Sequence, residues 1–243
     1  MVVDYSLNVL RAFLLASMCV LAPQVVGQAL TIVPISHQLL APQSSASFTL
    51  TNHSDSEALI QVRSYAWTQT ASDDVYTDTT KLAVSPPFAR IAAGQSQTVR
   101  LLLRKPAGNV EKAYRVVFDQ IPERVAGKVE MALRLTVPVF SCELEGVMAE
   151  VQWRIDVKEG KPLLVAVNRG SQHVQLVGLK LTDASGENIK LKGQGLPYIL
   201  AGIERHWPLT GPSHRLSYGA SVHLQTSGPG RHWDQWLVVG NAD

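Results

Sequence analysis

Lys128-Val129-Glu130-Met131-Ala132-Leu133-Arg134-Leu135-Thr136-Val137-Pro138-Val139-Phe140 alternates apolar with other residues over about a dozen positions, roughly twice an ordinary strand. Val129, Met131, Leu133, Leu135, Val137 and Val139 share one face, because strand side chains alternate with period two. Glu130, Arg134 and Thr136, with Ala132 and Pro138, share the other. A core strand packed on an opposite sheet alternates in the same way. The length and Pro138 point instead to an edge, since proline has no N–H for a neighbouring strand.

The segments before it also read as strands. Leu30–Ile35, Ala46–Asn52, Leu59–Thr68, Gln97–Arg104 and Tyr114–Ile121 are rich in Val, Ile, Thr and Leu, and they are separated by turn signals such as 53–56, Pro86-Pro87 and Ala93-Gly94. That spacing predicts an immunoglobulin-like sandwich over 30–142. Strand-like runs resume at Glu150–Val157, Leu163–Asn168, Val174–Thr182, Asn188–Leu191, Ile203–Leu209, Ser221–Gln225 and Trp236–Val239, which predicts a second β-sandwich over 143–243. The link around Gly146 is short, so an all-β protein of two immunoglobulin-like domains is expected, set at a fixed angle with a cleft between them.

Ahead of both domains, Arg11 precedes an apolar run from Ala12 to Ala22, and the small residues Gly27 and Ala29 follow. This predicts a signal peptide over 1–29, cleaved after Ala29 or, alternatively, after Gly27. The run is shorter than the ~20 apolar residues of a membrane span, and no later stretch approaches that length, so no stable membrane insertion is expected. The formal charge of +2 includes Asp4 and Arg11, which leave together on cleavage, and such a balance argues against nucleic-acid binding. Cleavage would leave Cys142 without an internal disulfide partner, so stability must come from packing. Cys142 reads as a small buried hydrophobe, with intermolecular pairing the alternative.

No constellation of catalytic residues stands out, and no enzyme activity or cofactor is expected. There is no Gly-x-Ser-x-Gly elbow and no phosphate-binding glycine loop. His206, His214, His223 and His232 lack the paired Cys or carboxylates of a metal site, and no metal is expected. Asp73, Asp74 and Asp78 read as a polar hairpin loop, with loose calcium binding the alternative. Trp207, Trp233 and Trp236 are expected in the packing of the second domain. Asn52-His53-Ser54 fits a glycosylation sequon, which carries little weight if the host is a bacterium.

In order and spacing, Leu30–Ile35, Phe48–Asn52, Ser85–Arg100, Tyr114–Pro122 and the long alternating strand resemble the PapD-like periplasmic chaperones of the chaperone–usher pilus pathway. Asn168-Arg169-Gly170 resembles that family's turn early in the second domain. Tyr65-Ala66-Trp67-Thr68-Gln69 and Val137-Pro138-Val139-Phe140 look like its archaic branch. The resemblance implies a periplasmic chaperone of a Gram-negative bacterium, whose partners are pilus subunits lacking their last strand and an outer-membrane usher. It implies a lent strand with Val129, Met131, Leu133 and Leu135, extended to Val137, plugging the subunit groove.

Family members hold the subunit's C-terminal carboxylate with an Arg on the first strand and a Lys near the end of the long strand. Here Ser36 and Pro138 stand at those places, and neither can supply the charge. Arg134 is the first substitute, with parity opposite to the plug. Arg100 and Arg115, on strands that could flank it, come next, and Arg90 and Arg104 are less suited. For these arginines an ordinary ion pair is the plainer role. The rival readings are a surface adhesin or pilus component, and an exported β-sandwich hydrolase. A pilus subunit would be shorter and carry its own donor segment at its N-terminus.

Overall fold

The computed structural model describes residues 30–105, 108–122, 132–143, 150–192, 198–211 and 216–241. The expected signal peptide, Val129 and Met131 lie outside these. Among the described residues the first domain has ten strands: β1 (Leu30–Val33), β2 (His37–Leu40), β3 (Ser45–Asn52), β4 (Ala58–Gln69), β5 (Asp74–Asp78), β6 (Leu82–Ser85), β7 (Phe88–Ile91), β8 (Ser96–Leu103), β9 (Lys112–Ile121) and β10 (Arg134–Cys142). One sheet runs β1-β3-β8-β6, and the facing sheet runs β2-β10-β9-β4-β5, with β7 also on β4. Phe48, Leu50, Val99 and Leu101 from the first meet Ile60, Val62, Val116, Phe118, Val137 and Val139 from the second. Phe48 and Phe118 cross edge to face at 5.7 Å, a favoured aromatic geometry.

Two expectations change at the ends of strands. The expected first strand breaks after Val33, and the chain crosses sheets through 34–36, so β1 pairs with β3 while β2 runs parallel to β10. Among the described residues the long alternating strand begins at Arg134, and Ala132 and Leu133 precede it as irregular chain. The short strands β2, β5, β6 and β7 are additions to the expected set.

The second domain contains β11 (Val151–Lys158), β12 (Lys161–Asn168), β13 (Val174–Gln175), β14 (Val177–Asp183), β15 (Asn188–Leu191), β16 (Tyr198–Ile199), β17 (Glu204–Thr210), β18 (Ser221–Gly228) and β19 (Arg231–Asn241). Its pairing runs β11-β12-β17-β15-β14-β18-β19 and closes through the parallel pair β11–β19. Trp153, Trp207 and Leu224 fill the interior with Trp233 against them, but Trp236 lies outside, 57% exposed and stacked on His223. That corrects the expectation for Trp236: it shares strand parity with exposed Asp234 and Val238, so it faces out.

A repeated corner closes each domain. The fully buried amide of Asn52 donates to Ser56 C=O and Ile91 C=O and accepts from Ser54 N–H. Asn168 likewise donates to Gln172 C=O and Ile199 C=O and accepts from Gly170 N–H. The Asn52 sequon is therefore inside the protein, with no room for a glycan.

Where the domains meet, Trp67, Phe140 and Leu200 form a third small core with Ala113, Tyr198 and Ile203 against it. The buried Gln69 side chain donates to Tyr198 C=O at 3.0 Å and accepts from Leu200 N–H at 2.9 Å. Arg205 donates to Thr70 C=O, and Glu111 accepts from both the backbone N–H and the ring of His173, which stacks flat on Phe140 at 3.5 Å. Asp74 of the hairpin is committed to Gln69 and Tyr76, so its carboxylate serves this joint.

Across the sheet, Asp119 on β9 bonds Arg63 of β4 through one oxygen and Arg134 of β10 through the other. Burial alone would raise the Asp119 carboxyl, but those two bonds prevail and hold it below its ordinary range.

Two outcomes are expected. Gln69→Ala should cost about 1–3 kcal/mol, the penalty for orphaning buried backbone groups, and loosen the domain angle; denaturant melts and small-angle scattering read both. Asp119, depressed in the folded state, adds stability above the ordinary carboxylate range that fades as pH falls through its folded value. Asp119→Asn should therefore destabilise at neutral pH, within about 1 kcal/mol because both arginines are largely exposed, and have no effect in acid, as melts at the two pH values would reveal.

Candidate functional site

β10 is paired on one edge throughout and on the other only in part. β9 runs antiparallel to it from Arg134 to Ser141, while β2 covers the second edge only from Val139 to Cys142. Among the described residues, nothing pairs with that second edge over Arg134–Pro138. Gln120 N–H donates to Leu133 C=O at 2.8 Å. Residues of an antiparallel ladder alternate between facing the partner and facing away, so odd residues of β10 bond β9. Arg134, Thr136 and Pro138 turn their backbone groups to the open edge. Pro138 has no N–H to offer, and the β9 ladder loses nothing by it.

The apolar row grades along this strand. Val139 is fully buried and Val137 is 6% exposed inside the first-domain core, while Leu133 and Leu135 are half-buried at its rim. The apolar side of the open edge therefore continues the domain's own core outward.

The other face of β10 looks toward the second domain. Register places Pro138 beside Arg115, and Arg115 beside Tyr65. β2 begins at His37 opposite Val139, so Ser36, one residue earlier, falls beside Pro138. The two positions that lack the family's charges thus converge on Arg115. Its guanidinium lies 3.7 Å over the Trp67 ring and 5.5 Å from the Tyr198 ring. Burial pulls its pKa below the usual value, with Tyr76 and Asp74 opposing; a guanidinium remains charged regardless. Among the described residues no carboxylate pairs with Arg115, and its buried Nε has no partner.

Of the other candidates, Arg134 is exposed and bound to Asp119. Arg100 stands on β8, in the opposite sheet, lining a groove with Ser47, Ser85 and Leu102. The expectation that its strand flanks β10 is thus corrected, because β9 and β2 occupy the two sides. Cys142 is buried, its thiol close to Gly108 and Asn109 carbonyls. Among the described residues, no cluster of three His, Cys, Asp or Glu is arranged to hold a metal. Sequence reading missed Trp67, Tyr198, Asp119 and the Glu111–His173 pair. Trp67 had a signal, since Tyr65 and Trp67 put large side chains on the face of β4 opposite Ala58, Ile60 and Val62.

Residues 31–142 match the family described as pili and flagellar-assembly chaperone, PapD N-terminal domain. No curated protein matches the chain in sequence. The fold matches a chain of the CsuC–CsuE chaperone–tip adhesion subunit pre-assembly complex from archaic Csu pili of Acinetobacter baumannii, with 20% identity and TM-score 0.67 over 89% of this chain and 100% of that one. The E. coli chaperone DraB matches with 18% identity and TM-score 0.59 over 86% and 96%. A chain of the Salmonella enterica SafA pilin–SafB chaperone complex matches with 16% identity and TM-score 0.58 over 86% and 95%. Residues 31–142 therefore belong to the PapD-like chaperone domain of pilus assembly, a family that is not enzymatic, and the two-domain fold is one shared over most of this chain with solved chaperone structures.

Proposed function

We propose that this protein is a periplasmic chaperone that holds unfinished pilus subunits by lending them β10 and passes them to an outer-membrane usher. The open edge over Arg134–Pro138, rimmed by Leu133 and Leu135, carries this reading. An immunoglobulin-like subunit without its last strand has an apolar groove and unpaired backbone, both aggregation hazards. A lent strand answers both, with backbone bonds giving affinity and alternate side chains filling the groove. The CsuC–CsuE and SafB–SafA complexes pair a chaperone with an adhesion subunit and with a pilin, which supports a partner of that class here.

Leu133 and Leu135 form the plug, with Val129 and Met131 preceding them in sequence. Val137 already belongs to this chain's core and ends the row. Each leucine fully buried by the partner contributes about 1.5–3 kcal/mol before ordering costs are subtracted. The export implied by residues 1–29 fits a periplasmic site of action.

The grip on the subunit's C-terminal carboxylate falls to Arg115 in place of Ser36 and Pro138. A desolvated guanidinium with no carboxylate in ion-pair contact favours an arriving one. Phe140, two residues past Pro138, packs in the interdomain core, so β10 runs toward the joint. A segment that ends at Arg115 and lies along Arg134–Pro138 therefore runs parallel to β10.

Two tests follow from this. In co-expression, Leu133→Asp with Leu135→Asp should leave the subunit insoluble; equal solubility would exclude strand lending by this face. Arg115→Met keeps an apolar, unbranched side chain beside Trp67 but removes the charge, and should weaken subunit capture at least about tenfold, as for a truncated buried charge pair, while Arg134→Ala retains most of it. Full capture by Arg115→Met, with its melt unchanged, would reject Arg115 as the grip.

A further inference from the structure

We infer that Arg134, held by Asp119, reads an acidic side chain of the partner about four residues before its carboxyl terminus. This rests on the reading of β10 as the lent strand and Arg115 as the grip. Arg115 sits opposite Pro138, and Arg134 lies four positions earlier on the same face of β10. At about 3.3 Å per residue, the two rows are about 13 Å apart. A segment running parallel along the open edge keeps step with β10. With its terminus at the Arg115 row, its fourth residue back stands beside Arg134, and period two turns that side chain to the same outer face.

The chemistry at this point is prepared for an anion. Asp119 takes Nε of Arg134, and its other oxygen takes Nη2 of Arg63. One carboxylate thus serves two guanidiniums, which leaves one positive charge unbalanced at the edge. Among the described residues no second carboxylate pairs with either arginine. The Arg134 side chain is 67% exposed, and its Nη groups make no bond to described residues. As a stabilising device an exposed pair of this kind is worth little, and a single arginine would have neutralised Asp119. A guanidinium fork whose stem is already oriented suits a carboxylate, and it repels a lysine at the same register.

Fluorescein-labelled peptides Ser-Val-Thr-Val-Xaa-Val-Thr-Val-Ser with Xaa as Glu, Gln or Lys, each with a free or amidated terminus, test this by anisotropy against the full chain. Glu should bind about fivefold tighter than Gln, the scale of an exposed ion pair, and Lys should bind weakest. That preference should vanish in Arg134→Gln and when Glu is moved one position, onto the opposite face, while amidation weakens every peptide alike. Equal binding of the three peptides, with amidation still weakening them, overturns the charge readout and spares the grip. A Glu preference that survives Arg134→Gln, or ignores the one-position move, overturns it as well. Binding indifferent to amidation, or absent for all peptides, removes the reading beneath it and this inference together.

Discussion

The second domain covers the outer face of the six-stranded sheet at one end only, around Trp67, Phe140 and Leu200. Along β4 the buried side chains are Ala58, Ile60 and Val62 at first, all inward, and then Trp67 and Gln69, both outward. Strand parity does not change; the cover does. β10 responds in the same way, exposed at Arg134 and Thr136 and buried on both faces from Val137 onward. The buried Arg115 and the exposed Arg134 are two results of where that cover stops.

Under the cover an arginine behaves differently from one beyond it. Arg115 has lost water without a carboxylate in ion-pair contact, and Tyr76 and Asp74 offset only part of what burying that charge costs. Its stack on Trp67 offsets part of this, since a desolvated cation–π contact is worth about 2 kcal/mol. The remainder is a standing attraction for an anion, strengthened by the low dielectric that created it. Arg134 keeps its water and its carboxylate, so a new anion there gains little affinity. It can bias which sequence sits beside it.

Much of this was legible in the chain. Alternation from Lys128 to Phe140, short Val- and Thr-rich runs and turn clusters specify a β protein of two domains, because side-chain period and turn chemistry are local properties. The row containing Leu133 and Leu135 was legible for the same reason. Arg115 was visible only as one arginine among several, since its importance depends on Pro138 lying beside it and on a tryptophan and a tyrosine arriving from β4 and from another domain. Arg100 had equal standing in the sequence, and only sheet order puts it on the wrong layer. Trp236 misled because a large aromatic usually packs, whereas here cross-strand stacking on His223 holds it at the surface.

Pro138 brings these constraints together. Odd residues of β10 spend their backbone groups on β9, so a proline at an even position leaves that ladder whole, and it stands where β2 takes over the second edge. A slip by one residue would turn Leu133 and Leu135 away from the core and Arg134 into it. It would also part Arg134 from Asp119, whose bond forms only in the register that sets Leu135 opposite Phe118. Apolar packing on one face and an ion pair on the other thus specify the same register from both sides. A strand with an open edge needs that, because over Arg134–Pro138 no described neighbour on that side helps to align it.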